Sequence, residues 1–392
     1  MFDFNKKVDR KGTCSTKWDR YEDRYGLDDV IALWVADMDF ETVPEVRDAL
    51  EKRAQHLTYG YTDPDHKLYA EIIDFERRHH HIEIEEDDIV LNTGVVYAVY
   101  ELVKMLVKED EKVILMPPIY PPLFNTPLHL NREVVYSKLI DHDETYEIDF
   151  EDLEKKIKDD PKIKMFILCN PHNPTGVCYS KEEIDKIAKL CEDNDLWLLS
   201  DEIHGDLVMP GHEKYSALRA SYNNDKIITL NAPTKTFNLA GMKISYALSK
   251  NKEFMKEFRA EAKASGLSSI NIFGFEALKA AYHYGDEWLK ECIEYIYENL
   301  KWLKDYIDTN LTKAKYRIPE ATYLAWVDLK EYHLPDDFVD RLMYEGHVQF
   351  NPGSGFSKEY KDYIRVNVAT DRATLKEGMD RLCAWLKENN YL

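Results

Sequence analysis

One lysine of this 392-residue chain lies where its amine could be reactive. Lys235 stands among apolar and hydroxyl residues in the segment 232–241, Ala-Pro-Thr-Lys-Thr-Phe-Asn-Leu-Ala-Gly. Burial in such surroundings disfavours the ammonium form and so lowers the pKa of a lysine. A neutral lysine amine can attack a carbonyl carbon and form a Schiff base. The segment therefore predicts Lys235 as an amine nucleophile.

An acidic residue follows a different apolar run. Residues 196–199, Leu-Trp-Leu-Leu, lead directly into residues 200–204, Ser-Asp-Glu-Ile-His. A carboxylate at the end of a buried strand needs a partner, because an unpaired buried charge is costly. Asp201 therefore predicts either a cationic ligand nitrogen or a nearby base.

Two turns could hold the polar groups of a ligand. In residues 170–176, Asn-Pro-His-Asn-Pro-Thr-Gly, two prolines and a glycine restrict the backbone and hold the Asn173 amide as a positioned donor. In residues 92–96, Asn-Thr-Gly-Val-Val, Gly94 lets the N–H groups of a helix N-terminus approach an anion such as phosphate. Helices also begin this way for purely local reasons, so the second turn by itself does not distinguish the two cases.

Tyr120 and Arg365 each allow two interpretations. Residues 117–122, Pro-Pro-Ile-Tyr-Pro-Pro, form a rigid turn that presents the tyrosine ring either to a planar ligand or to the core. Residues 363–368, Tyr-Ile-Arg-Val-Asn-Val, alternate with a period of two, which places Arg365 opposite the apolar face. The strand face that carries Arg365 could be exposed to solvent or could contact a ligand.

The elements that position these residues are apolar runs of strand length that alternate with helical patterns. This alternation is typical of an α/β fold with a mostly parallel sheet and helices on both faces. In such sheets ligands bind at the carboxyl ends of the strands, where the residues named above are expected to meet. The predicted strands are 88–91, 112–116, 134–139, 163–168, 196–200, 226–230 and 244–248.

The order of the elements changes beyond about residue 285. A long helical pattern leads to a strand at 323–329, a shorter helix near 336–344, strands at 347–350 and 363–368, and a closing helix. We therefore predict a large domain over residues 47–284. A smaller α+β domain would comprise residues 1–46 and 285–392.

Taken together, the residues at the strand ends describe a site for an anionic, aromatic, nitrogen-bearing aldehyde. A lysine for a Schiff base, an acid for a ring nitrogen, a stacking ring and a helix N-terminus for phosphate are what pyridoxal 5′-phosphate requires. The sequence therefore predicts pyridoxal 5′-phosphate as the cofactor.

Composition argues against several other classes of protein. The chain has 52 Lys+Arg against 73 Asp+Glu, a formal charge of −21, which disfavours a nucleic-acid partner. No stretch resembles a signal peptide or a membrane span, so we expect a cytoplasmic protein without membrane contact. Six cysteines stand without a C-x-x-C pair, and residues 79–81, His-His-His, have no spaced carboxylate. We expect no metal site, and the histidines are interpreted as a solvated loop.

The motifs resemble those of a known family. Residues 170–176, 200–204 and 234–241 are similar to the signature segments of fold type I pyridoxal-phosphate enzymes of the class I/II aminotransferase superfamily. Together with 34–40, Trp-Val-Ala-Asp-Met-Asp-Phe, and 59–62, Tyr-Gly-Tyr-Thr, they resemble the MalY/PatB-type carbon–sulfur β-lyases, which include cystathionine β-lyase and cystalysin-like enzymes. The resemblance implies a three-layer αβα large domain with a mostly parallel seven-stranded sheet, beside a smaller α+β domain.

The resemblance also implies catalytic and cofactor-binding roles. Lys235 would carry the cofactor and, once displaced by the substrate amine, would remove the α-proton. Asp201 would pair with the pyridine nitrogen, while Asn173 and His204 would contact the ring oxygen. Tyr120 would stack on the ring, and with Lys235 it is an implied catalytic residue.

Other roles concern the phosphate and the substrate. Gly94 and Val95 would offer backbone donors to the phosphate, with Thr234 and Lys243 as further contacts. Many aminotransferases carry a serine and an arginine where this chain has Ala232 and Lys243, so its phosphate contacts are expected to differ.

Tyr61 would reach the phosphate from the neighbouring subunit, which makes a homodimer the implied active unit. Arg365 would bind the α-carboxylate of an amino-acid substrate through its bidentate fork.

Removal of the α-proton leaves more than one reaction open. The branch resemblance favours β-elimination from L-cystathionine, L-cysteine or a related S-substituted cysteine, giving a thiol, pyruvate and ammonia. The same residues would serve an aminotransferase, since the choice depends on which transition state the pocket stabilises. A third alternative is a regulatory, protein-binding role on the fold of such an enzyme.

Overall fold

The computed structural model describes residues 2–142 and 145–392; Met1, in the predicted small domain, and residues 143–144, in the predicted large domain, lie outside it. The described part contains thirteen α-helices and fifteen strands. The helices are α1 Arg20–Tyr25, α2 Pro44–Gln55, α3 His66–His80, α4 Val95–Leu106, α5 Pro121–His129, α6 Phe150–Asp159, α7 Lys181–Asp193, α8 Pro233–Thr236, α9 Lys252–Ala264, α10 Ile272–Tyr284, α11 Asp286–Asn310, α12 Phe338–Gly346 and α13 Arg372–Glu388. The strands are β1 Ile31–Ala32, β2 Ile89–Asn92, β3 Lys112–Leu115, β4 Glu133–Tyr136, β5 Leu139–Asp141, β6 Tyr146–Ile148, β7 Ile163–Cys169, β8 Trp197–Asp201, β9 Ile227–Asn231, β10 Ser245–Leu248, β11 Lys315–Tyr316, β12 Leu324–Asp328, β13 Val348–Gln349, β14 Asn351–Pro352 and β15 Tyr363–Asn367.

A seven-stranded sheet forms the centre of the fold, in the order β2-β10-β9-β8-β7-β3-β4. Neighbouring strands are parallel except that β10 runs antiparallel to both β2 and β9. Each of the seven predicted apolar runs supplies one of these strands. Six of the strands are buried on both faces along most of their length, which accounts for their nearly continuous apolar character, whereas the edge strand β4 is partly exposed. The predicted mostly parallel sheet is confirmed.

Alternate side chains of each strand enter two separate cores. Val113 and Leu115 of β3 pack in one core with Val99 of α4 and Phe258 of α9. Ile114, between them, faces the opposite core, to which α3, α7 and α10 contribute. This is the period-two pattern of a strand covered by helices on both faces. The predicted three-layer αβα arrangement is confirmed.

A second sheet, of four antiparallel strands, has the order β11-β12-β15-β14. Ile364 and Val366 of β15 are buried in the hydrophobic core. Arg365, between them, pairs across the sheet with Trp326 and Asn351 and is only 4% exposed. Its face of the strand is therefore buried rather than solvated, which removes one of the two alternatives left by the alternating pattern.

The N-terminal segment lies beside the C-terminal part of the chain. Strand β1 pairs in parallel with β13, with Ile31 opposite Val348. This pairing is in keeping with the division into residues 47–284 and residues 1–46 plus 285–392, which stays a prediction.

The interpretation of residues 79–81 as a solvated loop is wrong. Helix α3 continues to His80, and His81 ends it with a left-handed backbone. Ile72, Glu76 and His80 recur every four residues on one buried helix face. Within the described part of the chain, no cluster of side chains could hold a metal ion and no helix could cross a membrane.

Candidate active site

A cavity of about 190 Å³ opens at the carboxyl ends of the parallel strands. The side chains that line it come from widely separated parts of the chain, which the sheet brings to one edge. Those predicted from the sequence are Gly94, Val95, Tyr120, Asn173, Asp201, His204, Thr234, Lys235 and Lys243. The further lining residues are Ala36, Thr93, Val96, Tyr97, Cys169, Ile203, Ala240, Ile244 and Ser245.

Lys235 lies in α8, a single helical turn that follows β9 and begins with Pro233. Its Nζ donates a hydrogen bond of 2.6 Å to the carbonyl oxygen of Ala36. Burial lowers the pKa of Lys235 to about 8, and the positive charge of Arg365 adds to the effect. The side chain can therefore be a neutral amine near physiological pH.

Asp201 and His204 belong to the wall of the same cavity, and both are buried. Burial raises the pKa of Asp201 to about 7, against opposing effects from the N–H of Ile203 and the charge of Lys235. Burial and the charges of Lys235 and Arg365 hold the pKa of His204 far below its usual value, so the imidazole is neutral. Among the described residues, its buried Nδ1 has no hydrogen-bond partner. The wall thus offers a carboxyl that a cationic ligand would ionise, beside a neutral imidazole.

Arg365 is held immediately behind the cavity wall. Its Nη1 donates to Oδ1 of Asn173 at 3.0 Å, and its Nη2 donates to the Trp34 carbonyl at 3.1 Å and to Oδ1 of Asn351 at 2.5 Å. The guanidinium also lies 4.9 Å from the ring centre of Phe356. Since the Asn173 oxygen accepts from the arginine, its NH2 group is left to donate elsewhere. Burial lowers the pKa of Arg365 to about 10, so the side chain remains charged.

The start of α4 forms another part of the cavity wall. Gly94 is the residue before the helix and Val95 is its first residue. The backbone N–H groups of a first helical turn have no partner within the helix and attract anions. Thr234 and Lys243 line the same cavity.

Sequence reasoning missed Ser245, which also lines the cavity. It begins β10, and its hydroxyl lies 3.4 Å from the carbonyl oxygen of Asn92 at the end of β2. Because β10 is antiparallel, its amino end meets the carboxyl ends of the other strands. Ser245 therefore lies at the site although it begins its strand instead of following it.

The segment 34–40 closes the side of the cavity near Lys235. Tyr323 donates its hydroxyl to the Ala36 carbonyl at 3.0 Å, and Asn367 donates its amide to the carbonyls of Val35 and Asp37 at 2.6 and 2.7 Å. These contacts fix the carbonyl that accepts from Lys235. Apart from the family resemblance, nothing in the sequence pattern marked this segment as part of the site.

An ion cluster anchors the same segment to the N-terminal residues. Arg10 contacts Asp37 at 2.7 Å and Asp39 at 2.8 Å, and Lys17 contacts Asp39 at 2.7 Å. Trp18 donates its Nε1–H to Asp39 at 2.8 Å. Burial would raise the pKa of Asp39, but Lys17 above all outweighs it and keeps the pKa below its usual value. Lys17 and Asp39 are buried, whereas Arg10 and Asp37 are partly exposed, so the Lys17–Asp39 pair is the interior part of the cluster.

The two tyrosines predicted to contact the cofactor lie in different places. Tyr120 precedes α5 and lines the cavity, whereas its neighbour Ile119 is in the core. Burial, then the negative charge of Asp201, raises the pKa of Tyr120. Tyr61 is fully exposed and does not line the cavity of its own chain.

The cavity fits pyridoxal 5′-phosphate on chemical grounds. It combines a buried amine, a buried carboxyl with a raised pKa, an unpartnered imidazole nitrogen and a helix N-terminus. A pyridinium nitrogen would satisfy the carboxyl, an aldehyde the amine, and a phosphate the helix N-terminus.

Comparison with known proteins gives consistent matches. Residues 28–382 match the model of the family described as aminotransferase class I and II. Cystathionine beta-lyase PatB of Bacillus subtilis (strain 168) is 35% identical over 386 residues, covering 98% of this chain and 99% of PatB.

Two solved structures resemble the whole chain. Cystalysin from Treponema denticola, which contains a pyridoxal 5′-phosphate cofactor, has a TM-score of 0.95 at 32% identity and covers 99% of each chain. The pyridoxal-phosphate-bound C-S lyase from Staphylococcus hominis has a TM-score of 0.92 at 31% identity and covers 98% of each chain.

Proposed function

This chain belongs to the class I and II aminotransferase family, and we propose that within this family it is a pyridoxal-phosphate-dependent carbon–sulfur lyase. Its substrate would be L-cystathionine, L-cysteine or a related S-substituted cysteine, and its products a thiol, pyruvate and ammonia. The observation that carries the proposal is that the buried amine of Lys235 and the buried carboxyl of Asp201 line one cavity. The preference for a lyase over an aminotransferase rests on full-length likeness to PatB and to the S. hominis C-S lyase.

The cofactor would be held by residues of the cavity wall. When bound, pyridoxal phosphate supplies an electron-withdrawing ring that stabilises negative charge on the α-carbon of the substrate. Asp201 would keep the ring nitrogen protonated, which in turn would keep the carboxylate ionised. Asn173 and His204 would contact the ring oxygen, and Tyr120 would stack on the ring.

The phosphate would lie at the N-terminus of α4. The N–H groups that follow Gly94, beginning with that of Val95, would bind its oxygens, and Thr234 and Lys243 would add a hydroxyl and a positive charge. Ser245 would be a further donor, because it lines the same cavity.

Lys235 would take up the proton from the substrate α-carbon. A general base works best when its pKa is close to the working pH, and the pKa of Lys235 is about 8. The carbonyl of Ala36, at 2.6 Å, would orient the amine and accept one of its hydrogens.

Arg365 would bind the α-carboxylate of the substrate. Asn173 and Asn351 hold its two Nη groups, and its buried Nε has no partner among the described residues. An arginine fixed in this way is pre-organised for a carboxylate, whose oxygen would replace the Trp34 or Asn351 oxygen on Nη2 to complete the bidentate fork.

The active unit would be a homodimer in which Tyr61 of one copy reaches the phosphate of the other. Tyr61 is fully exposed, and Leu57 and Tyr59 beside it are 85% and 55% exposed. A second copy would cover these apolar side chains and would complete the site.

The proposed reaction is tested by product analysis without a keto acid. Holoenzyme incubated with L-cystathionine alone should release pyruvate and thiol in equal amounts, and the Lys235→Ala variant should release neither. Amino-group transfer that requires an added keto acid and forms no pyruvate would contradict the proposal and indicate an aminotransferase.

A further inference from the structure

A chain of buried polar side chains runs beneath the proposed site. Lys214 forms an ion pair with Glu202, and its Nζ lies 3.5 Å from Nδ1 of His80. The other ring nitrogen of His80, Nε2, lies 2.7 Å from Oδ1 of Asp206. Oδ2 of Asp206 accepts a hydrogen bond of 2.5 Å from the hydroxyl of Thr236. These five residues are here called the buried relay.

The buried relay lies inside the protein from end to end. Its most exposed members, Lys214 and Asp206, are each 7% exposed, and Thr236 is fully buried. Burial would raise the pKa of Asp206, but His80 and Thr236 outweigh it and keep the pKa below its usual value. Asp206 is therefore an ionised carboxylate held by partners within the protein.

The backbone leaves space for the middle of the relay. A Cβ added at Gly205 would lie 3.0 Å from Nζ of Lys214, 3.3 Å from Cε1 of His80 and 2.9 Å from the carbonyl oxygen of Glu202. A side chain at this position would displace the contact between Lys214 and His80. The glycine thus allows the two halves of the relay to meet.

The two ends of the relay adjoin the two residues on which the chemistry depends. Glu202 directly follows Asp201, and it accepts hydrogen bonds from the Ser200 hydroxyl and the Ala217 N–H at 3.0 and 2.8 Å. Thr236 directly follows Lys235 in the same helical turn. We propose that the buried relay fixes the spacing between Asp201 and Lys235, so that His80, Asp206 and Thr236 are positioning residues for the reaction.

Burying the charged groups of the relay costs desolvation free energy, which supports a role for the relay beyond stability. Buried ion pairs can often be replaced by apolar side chains without loss of stability, since desolvation offsets much of their attraction. A side chain misplaced by about 1 Å, in contrast, can reduce the rate of a reaction by roughly a hundredfold. The inference rests on the roles proposed for Lys235 and Asp201.

Thr236→Val tests the relay, because it removes the hydroxyl at nearly constant volume. We expect kcat to fall about tenfold with little change in KM, which is the signature of lost positioning. We also expect the pH midpoint of the visible absorbance of the bound cofactor, measured without substrate, to shift by on the order of half a pH unit. Thr236→Ser, which keeps the hydroxyl, should restore both values.

A matched control is Thr374→Val in α13. Thr374 is also buried and donates its hydroxyl to a carboxylate, that of Asp371, at 2.7 Å. This variant should lose similar stability but leave the pH midpoint unchanged. If Thr236→Val keeps the wild-type pH midpoint and kcat, or if Thr374→Val changes both values as much as Thr236→Val does, the inference is overturned.

A second variant covers the case in which Thr236→Val does not fold. His80→Gln removes the ring between Lys214 and Asp206 and should produce the same spectral shift; an unchanged midpoint in this variant would contradict the relay. Failure of the proposed function is recognised separately by product analysis of the wild type, because an aminotransferase would form no pyruvate from L-cystathionine alone whether or not the relay shifts the pH midpoint.

Discussion

The amine of Lys235 and the carbonyl oxygen of Ala36 lie 2.6 Å apart, although 199 positions separate them in the chain. This contact joins helix α8, between β9 and β10 of the central sheet, to segment 34–40, which the N-terminal ion cluster and Asn367 hold in place. The geometry of the reactive amine therefore depends on residues near both ends of the chain.

The N-terminal ion cluster, which anchors segment 34–40 through Asp37 and Asp39, should contribute strongly to the stability of the folded protein. Lys17→Met leaves the buried carboxylate of Asp39 without one of its charged partners, which should lower the free energy of unfolding by roughly 3 kcal/mol. Urea denaturation measures this loss. Lys6→Met, which breaks an exposed pair with Glu41, should cost less than about 1 kcal/mol. Equal losses in the two variants would contradict the buried anchor.

The raised pKa of Asp201 predicts a pH-dependent stability of the cofactor-free protein. Between pH 3.8, the usual pKa of an aspartate, and about pH 7, the pKa of Asp201 in the folded protein, this carboxyl is protonated in the folded state and ionised in the unfolded state. The free energy of unfolding therefore falls as the pH rises through this range. Asp201→Asn removes the penalty and should stabilise the cofactor-free protein at pH 8 by up to about 4 kcal/mol, yet not at pH 4. Thermal unfolding at the two pH values measures the difference.

The same variant separates stability from activity. Asp201→Asn should lose most turnover, because the amide cannot keep the ring nitrogen protonated. An active Asp201→Asn enzyme, or one whose stability gain is the same at both pH values, would contradict the role of this carboxyl.

Arg365 should act on Lys235 through charge and on the substrate through shape. Arg365→Met removes a positive charge that lowers the pKa of Lys235, so that pKa should rise from about 8. Arg365→Lys keeps the charge but loses the bidentate fork. Both variants should raise KM about a hundredfold, the loss expected when a charged hydrogen-bonded pair worth about 3 kcal/mol is removed.

Only Arg365→Met should move the pH at which Lys235 in the cofactor-free protein is half-acylated by an amine-reactive probe. Mass spectrometry of the modified peptide gives this pH. If the pH of half-acylation shifts in both variants, or in neither, the effect of Arg365 on Lys235 does not come from its charge alone, and the prediction is contradicted.

Mixed dimers test whether Tyr61 acts across the subunit interface. Lys235→Ala and Tyr61→Ala should each have low activity as pure proteins. After the two are unfolded and refolded together, some dimers should contain one site with both native residues, restoring up to about a quarter of wild-type activity for random pairing into a two-fold dimer. No restoration, with dimers present by light scattering, would place Tyr61 in its own subunit's site or outside any site.

The fold was largely predictable because every strand of the central sheet except the edge strand β4 is buried on both faces and appears as an apolar run. Lys235, Asp201 and Asn173 could be found because they follow such runs. Ser245 could not, since the direction of β10 depends on its neighbours in the sheet rather than on its own residues.

Other features depend on contacts that no local pattern contains. The alternating pattern of residues 363–368 is the same whether the strand face that carries Arg365 is exposed to solvent or packed against Asn173. The burial of His80 depends on the charge of Asp206, which is 126 positions away in the chain.

The most direct test of Lys235 as the residue that carries the cofactor is borohydride reduction of the holoenzyme, followed by peptide mass spectrometry. Reduction makes the Schiff base permanent, so the mass of the pyridoxyl group should be found on the peptide that contains Lys235, in step with the loss of pyruvate formation from cystathionine. A label on a different lysine, or full lyase activity after Lys235 has been labelled, would contradict the proposed site.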